Sequence, residues 1–215
     1  MRLDLRPVVD LKSFHTSTGR RYITPNGDEY PSVTTVLGRI PNPGLEAWKK
    51  QVGEDEARRI VSTSALAGTQ LHEMCECYLL GEDVPEYGRG PKMLFRSIQK
   101  LLSNVSVVHG IEMPLWSDRL RVAGRVDLIG VYRGKRSIVD FKNSRKQKEL
   151  SWIESYLLQE TIYGMMYMER YQESIEQIVT LVACWDGTSQ EFVKPLVNYV
   201  PKAVQTIRKY NYLFD

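Results

Sequence analysis

The stretch Gly124-Arg125-Val126-Asp127-Leu128-Ile129-Gly130-Val131-Tyr132, which continues through Arg133-Gly134 into Lys135-Arg136-Ser137-Ile138-Val139-Asp140-Phe141-Lys142, decides the fold. Two apolar, β-branched runs flank a dipeptide ending in glycine, the pattern of antiparallel strands joined by a tight turn. With Arg133-Gly134 as the turn, Tyr132 pairs with Lys135, and stepping outward along both strands sets Asp127 opposite Asp140. Opposed residues share a sheet face with Cβ atoms about 4.5–5.5 Å apart, and Lys142, two residues beyond Asp140, projects from that face as well. Two carboxylates and an ammonium thus converge among Val126, Leu128, Ile129, Val131, Ile138, Val139 and Phe141. Opposed like charges in such surroundings are destabilising unless a cation lies between them or one is protonated. Oxygen ligands of this kind suit Mg²⁺ or Mn²⁺, with water and a substrate phosphate completing the shell. Such a metal activates water and offsets charge on a phosphoryl oxygen, while Lys142 orients the nucleophile. The layout is that of a phosphodiesterase; for Asp140-x-Lys142 taken alone, the plainer reading is an exposed ion pair with Asp127 solvated at an edge.

Working outward, Arg21 to Thr24 and the β-branched run Tyr30 to Leu37 read as strands around the turn Pro25-Asn26-Gly27-Asp28, a hairpin leading into helix. Pro41 to Gly44 breaks the chain, and Leu45 to Ile60 reads as one or two surface helices. After Gly68-Thr69, a helix places Leu71, Met74, Cys75, Tyr78 and Leu79 on a buried stripe, with His72 and Glu76 one turn apart at its edge. A helix from Lys92 to Leu102 follows, then strands at Ser106–Pro114, Leu120–Gly124, Arg125–Tyr132 and Ser137–Phe141. Glu149 to Tyr171 reads as a long aromatic helix, Ile178–Trp185 and Phe192–Leu196 as strands, and Pro201–Tyr212 as a closing helix.

Composition narrows the class. The 215 residues suit one hydrophobic core, and 42% hydrophobic with 26% charged residues exclude disorder and collagen-like repeats. No run of about 18 apolar residues exists to cross a membrane. Met1 to Val9 alternates in polarity, so neither a signal nor a transit peptide is read there. Three cysteines (Cys75, Cys77, Cys184) lack zinc or iron–sulfur spacing and suit reduced thiols in a cytoplasmic compartment. Net charge is only +3, yet Arg133 to Lys148 carries seven Lys/Arg against one acid, Asp140, balanced by acids such as Glu154, Glu160, Glu169, Glu173 and Glu176 elsewhere. A basic wall beside a carboxylate pair is what a polyanionic substrate needs, although a solvated charged loop has the same composition.

His72-Glu73-Met74-Cys75-Glu76 departs from the zinc-protease pattern H-E-x-x-H at its last position. Trp152, Tyr156, Gln159, Tyr163 and Tyr167 share a helix face, either as an aromatic core stripe or as a surface that positions a nucleic-acid strand.

Four motifs in order resemble the PD-(D/E)XK nuclease superfamily, in its RecB-like exonuclease branch. Gly68-Thr69-Gln70-Leu71-His72 is similar to that branch's G-T-x-x-H helix, with Glu76 where a further acid often follows. Gly124 to Asp127 is similar to the motif of the first metal-binding aspartate, Asp140-Phe141-Lys142 to the (D/E)xK element, and Tyr156-x-x-Gln159-x-x-x-Tyr163 to the Q-x-x-x-Y helix. The run Tyr30 to Leu37, with Trp48 and Gly53 after it, resembles small phage-type and mitochondrial exonucleases of the same branch. The resemblance spans roughly residues 20 to 170.

It implies a single α/β domain over 1–215 with a mixed central sheet flanked by helices and a restriction-endonuclease-like core, in which 20–67 supplies an N-terminal hairpin and helices, 68–171 the catalytic motifs and 172–215 closing strands and a helix. It also implies that His72, Asp127, Asp140 and the Phe141 carbonyl hold the catalytic Mg²⁺, with Mn²⁺ as substitute, and that Lys142 positions or activates water. Gln159 would support the site. Glu76 would hold a second metal or its waters, Tyr156 would support, and Tyr163, Arg125, Arg145 and Lys146 would contact nucleic acid. The expected activity is exonucleolytic hydrolysis of DNA, single-stranded or with free ends, in replication, recombination, repair or phage DNA metabolism. The rivals are a structure-selective endonuclease and a catalytically dead nucleic-acid-binding module.

Overall fold

In the computed structural model, which describes residues 1–211, the deciding hairpin is present and longer than expected. Strands β6 (Val122–Tyr132) and β7 (Lys135–Ser144) are joined through Arg133 and Gly134, whose φ angles of 47° and 79° are those a two-residue primed turn requires. Their ladder runs from Tyr132↔Lys135 to Leu128↔Val139, the register read from the turn. The expected strands Leu120–Gly124 and Arg125–Tyr132 are one strand, because Gly124 does not interrupt the pairing of β6 with β5 (Val105–Ser117).

Around this hairpin lies a mixed six-stranded sheet in the order β1-β5-β6-β7-β8-β9, where β1 is Arg2–Leu3, β8 Gln177–Cys184 and β9 Ser189–Pro195. β1 lies parallel to β5 and β8 parallel to β7, while the other neighbours are antiparallel. Helices cover both faces, giving the α/β architecture expected and consistent with a restriction-endonuclease-like fold. One face packs against α1 (Val33–Leu37), α5 (Glu154–Tyr171) and α6 (Val200–Asn211) through Met113, Val126, Ile129 and Ile138 with Leu157, Ile162 and Ile207. The other face packs Leu128, Val139, Phe141 and Leu181 against Leu71, Cys75 and Ile98 of α3 (Glu54–Leu80) and α4 (Arg89–Leu102). A three-stranded antiparallel sheet of β2 (Lys12–Thr16), β3 (Gly19–Ile23) and β4 (Glu29–Pro31) adds a satellite core of Leu11, Tyr22, Tyr30 and Ala123. The helix α2 (Pro43–Val52) precedes α3 and buries none of its own side chains.

Several local expectations are corrected. Val33 to Leu37, β-branched and read as strand, is helix α1: Ser32 Oγ accepts from Thr35 N at 2.9 Å, and Val33, Val36 and Leu37, at helical spacing, enter the core. Burial of that face overrides β propensity. Gly68-Thr69 does not start a helix; α3 runs unbroken through it. A Cβ on Gly68 would stand 3.0 Å from Asn143 Nδ2, which donates to Ser64 O at 2.9 Å, so the glycine lets β7 approach the helix. The aromatic helix begins at Glu154, because Leu150–Trp152 forms a single 3-10 turn. Helix α4 begins at Arg89, β8 ends at Cys184, and β9 begins at Ser189. The closing helix was read to Tyr212, which lies outside the described residues.

Candidate active site

The site forms where the sheet loses its regularity. The β6–β7 ladder closes at Leu128↔Val139, so Asp127 is not a ladder partner of Asp140; its Oδ2 instead accepts the Phe141 backbone N–H at 2.9 Å. Here β6 parts from β7, while β7 stays paired with β8 as far as Ser144↔Cys184. On the other side of β6, Ile111↔Leu128 and Met113↔Val126 bracket Glu112 and Asp127. Ile111 and Leu128 belong to the α3 side, whereas Met113 and Val126 belong to the α5 side. In a regular strand those alternate residues would share one face. Glu112 makes the reversal with φ at 45°, a left-handed conformation uncommon outside glycine that often marks functional sites.

That reversal sends Glu112 and Asp127 toward His72 on α3. His72 Nδ1 lies 3.5 Å from Asp127 Oδ2 and 3.8 Å from Glu112 Oε1, while its Nε2 lies 2.8 Å from the Phe141 carbonyl oxygen. One donor atom from each of His72, Glu112 and Asp127 falls within 4.8 Å of the other two. Burial works against an imidazolium here, but the charge of Asp127, the nearby Glu112 carboxylate and the charge of Asp140 outweigh it and raise the His72 pKa to about 9. The pocket therefore attracts positive charge. Glu76, one turn along α3, is pushed up by burial and by repulsion from Glu112, as expected for surplus acid beside this cluster.

Asp140 and Lys142 stand on the α5 side. Lys142 Nζ is paired with Asp140 Oδ2, and Asp140 Oδ1 accepts from Gln159 Nε2 at 3.0 Å. The Tyr156 ring lies under the ammonium, 5.3 Å from Nζ to its centroid. Asp140 is 2% exposed, and burial pushes its pKa up despite Lys142; Lys142 is raised too, since Asp140 and Asp127 outweigh its own burial. Both buried groups feel Asp127, itself 8% exposed, so the two clusters share one electrostatic field.

Two residues of this site were missed from the sequence. Glu112 would fall opposite Asp127 only once β5 is registered on β6, and the four-residue connection Asp118 to Arg121 has no turn signature that fixes that register. Glu160 was read as one of the acids balancing the basic stretch. It is fully buried beside Asp140 and Lys142 and accepts from Thr180 Oγ1, and burial followed by the Asp140 charge raises its pKa well above the ordinary range. Burial and the Asp140 charge thus disfavour its ionised form. Its place on the α5 stripe with Leu157 and Thr161 was the available signal.

The residues assigned to nucleic acid are dispersed. Arg145 and Lys146 are exposed on the loop after β7, where Ser144 Oγ donates to Lys146 O at 2.6 Å. Arg125 reaches back to Glu112 O at 2.8 Å and Asp10 Oδ1 at 3.2 Å. Tyr163 is 3% exposed and packs on Gly124, where any Cβ would meet its ring and hydroxyl at 2.8 Å. A cavity of about 500 Å³ lies apart from the carboxylates, lined by Arg21, Arg119, Arg121 and Arg208.

The donor set can be tested for fit to a metal. One imidazole, two carboxylates and an adjacent backbone carbonyl form an oxygen and nitrogen donor set able to hold a divalent cation. A cation bound there would take the place of the proton that Asp127, Glu112 and Asp140 favour on His72.

No family model matches the chain. Mitochondrial genome maintenance exonuclease 1 of Mus musculus is 33% identical over 135 residues, covering 56% of this chain and 38% of that protein. Its Homo sapiens counterpart is 31% identical over 130 residues, covering 55% and 38%. The chain thus spans about 38% of the length of these curated relatives. A crystal structure of a phage-related exonuclease from Haemophilus somnus 129PT is similar with a TM-score of 0.39 at 13% identity, covering 84% of this chain and 92% of that one. Among the described residues, no helix is long and apolar enough to cross a membrane.

Proposed function

We propose that this chain, whose relatives and motifs support a PD-(D/E)XK-like exonuclease family, is a divalent-metal-dependent DNA exonuclease acting on single strands or free ends. The observation that carries the reading is the meeting, at one gap in the sheet, of the His72, Glu112 and Asp127 donors with the buried Asp140–Lys142 pair. His72, Glu112 and Asp127 would hold Mg²⁺ or Mn²⁺, with Asp140 and the Phe141 carbonyl at its margin. A divalent cation held there supplies Lewis acidity toward a phosphoryl oxygen and acidity to a water molecule. Asp140 draws the Lys142 ammonium into the site. As an ammonium, Lys142 donates hydrogen bonds, orienting the attacking water and offsetting charge on the phosphoryl group. Gln159 holds the Asp140 carboxylate in place, and Tyr156 covers the ammonium from the α5 side. The exposed Arg145 and Lys146 bind the strand's phosphates. Three thiols without disulfides suit action in a reducing cytoplasm.

The test is incubation of purified protein with 5′- and 3′-labelled single-stranded, duplex and closed circular DNA in Mg²⁺, Mn²⁺ or EDTA. Mononucleotide or short-oligonucleotide release from linear strands, abolished by EDTA and by Asp140→Asn, is expected. Cutting of circular single strands would replace the exonuclease with an endonuclease, and undiminished cleavage by Asp140→Asn would refute the site.

A further inference from the structure

Trp152 is 59% exposed, and among the described residues it is the only aromatic side chain more than half exposed. Leu150, two residues earlier, is 46% exposed. The exposure is not that of a frayed loop. Trp152 N donates to Glu149 O at 2.9 Å, and the next residue, Ile153, is fully buried and accepts through its carbonyl from Tyr156 N and Leu157 N at 2.9 and 3.1 Å. The indole is therefore projected from a turn anchored directly to α5. A tryptophan ahead of a helix commonly packs as a hydrophobic staple; this one is left in water.

Its surroundings are those a nucleic-acid strand would meet. Tyr156, four residues on and in the first turn of α5, carries Lys142 over its ring. On the other side, the exposed Arg145 and Lys146 precede Lys148, whose main chain is clamped by the Gln190 side-chain amide through bonds of 2.6 and 3.0 Å. The segment 142–156 thus carries, in chain order, Lys142 of the candidate site, a basic loop, an exposed indole and the Tyr156 ring that packs on Lys142.

We infer that Trp152 is a base-stacking subsite for unpaired nucleic acid, setting the strand's register against the Asp140–Lys142 pair; the inference rests on the nuclease reading above. Stacking on an aromatic side chain is sequence-tolerant, because every base offers a π-face, and a paired base inside a duplex offers none. The subsite therefore selects single strands or frayed ends over intact duplex.

The test is binding of the full chain, in EDTA so that no cleavage intervenes, to fluorescently labelled oligothymidylate and to an abasic strand of equal length. Wild type is expected to prefer the base-bearing strand. Trp152→Ala is expected to weaken that strand about 5- to 150-fold, the range of one stacked base, with little change for the abasic strand; Trp152→Phe keeps most of the affinity. Arg145→Ala, as a phosphate contact, weakens both strands alike. Equal loss on both strands in Trp152→Ala, no loss, or no base preference in wild type overturns the subsite. A concentration-dependent dimer in sedimentation that Trp152→Ala dissolves also overturns it, assigning the indole to a second copy of the chain. Cleavage by wild type is read separately, so a protein that stacks bases but cuts nothing sinks the nuclease and spares the subsite.

Discussion

Gly124→Ala tests the physical account of the site most directly. The added Cβ would stand 2.8 Å from both Cε1 and the hydroxyl of Tyr163, against an optimum of about 3.5–4.0 Å. The ring has nowhere to retreat, being 3% exposed on a helix whose neighbours Leu158 and Ile162 are also buried. Overpacking of this kind costs about 1–3 kcal/mol, and relief of glycine's backbone entropy returns about 0.5–1 kcal/mol. The middle of these ranges leaves a net loss of about 1 kcal/mol, or about 2–4 °C in melting temperature for a chain of this size. Thermal and urea melts followed by circular dichroism measure it, alone and in a Tyr163→Leu background. Tyr163→Leu is itself destabilising, but in that background Gly124→Ala should cost nothing or add slight stability, a coupling expected of residues in contact. Equal cost in both backgrounds, or none in wild type, would show that α5 does not approach β6 through this glycine.

Glu112→Gln should leave the metal-free melting temperature unchanged or higher, because it removes one acid from a crowded group, and should weaken Mn²⁺ binding about tenfold or more by calorimetry; unchanged affinity would remove Glu112 from the ligand set. Glu160 has a folded pKa raised above its ordinary 4.5, so its stability contribution is complete below that value and is lost as pH rises through the raised one. Glu160→Gln should therefore flatten the decline in stability as pH rises above the ordinary glutamate range, and an identical slope in urea melts would show that the Glu160 pKa is not raised. Ser32→Ala removes the α1 cap at a cost of about 1 kcal/mol, read as a melting temperature lower by about 2–4 °C; no shift would mean burial alone holds that helix.

Much of the site was legible because local chemistry set it. The Arg133-Gly134 turn determines the β6–β7 register from Tyr132↔Lys135 to Leu128↔Val139, and the two-residue spacing on β7 puts Lys142 beside Asp140. Gln159 and Tyr156, which helical spacing left as a core stripe or a nucleic-acid surface and the family resemblance assigned to the site, do reach Asp140 and Lys142. What stayed hidden depends on groups distant in sequence. The reversal of strand faces at Glu112 and Asp127 needs β5 registered on β6, and the raised pKa of Glu160 needs its burial in the packed chain.

Residue spacing within 124–142 by itself determined the hairpin and the Asp140–Lys142 pairing, since turn type and side-chain periodicity are local properties of the backbone, while the order of the motifs at 68–72 and 156–163 brought His72 and Gln159 in by resemblance. Only the tertiary structure decided where β6 leaves β7, that Asp127 turns toward His72 and Glu112 instead of pairing across from Asp140, and that Val33 to Leu37 is helix. Those outcomes are set by burial and by charges from separate elements meeting at low dielectric, and neither quantity exists until the chain has packed.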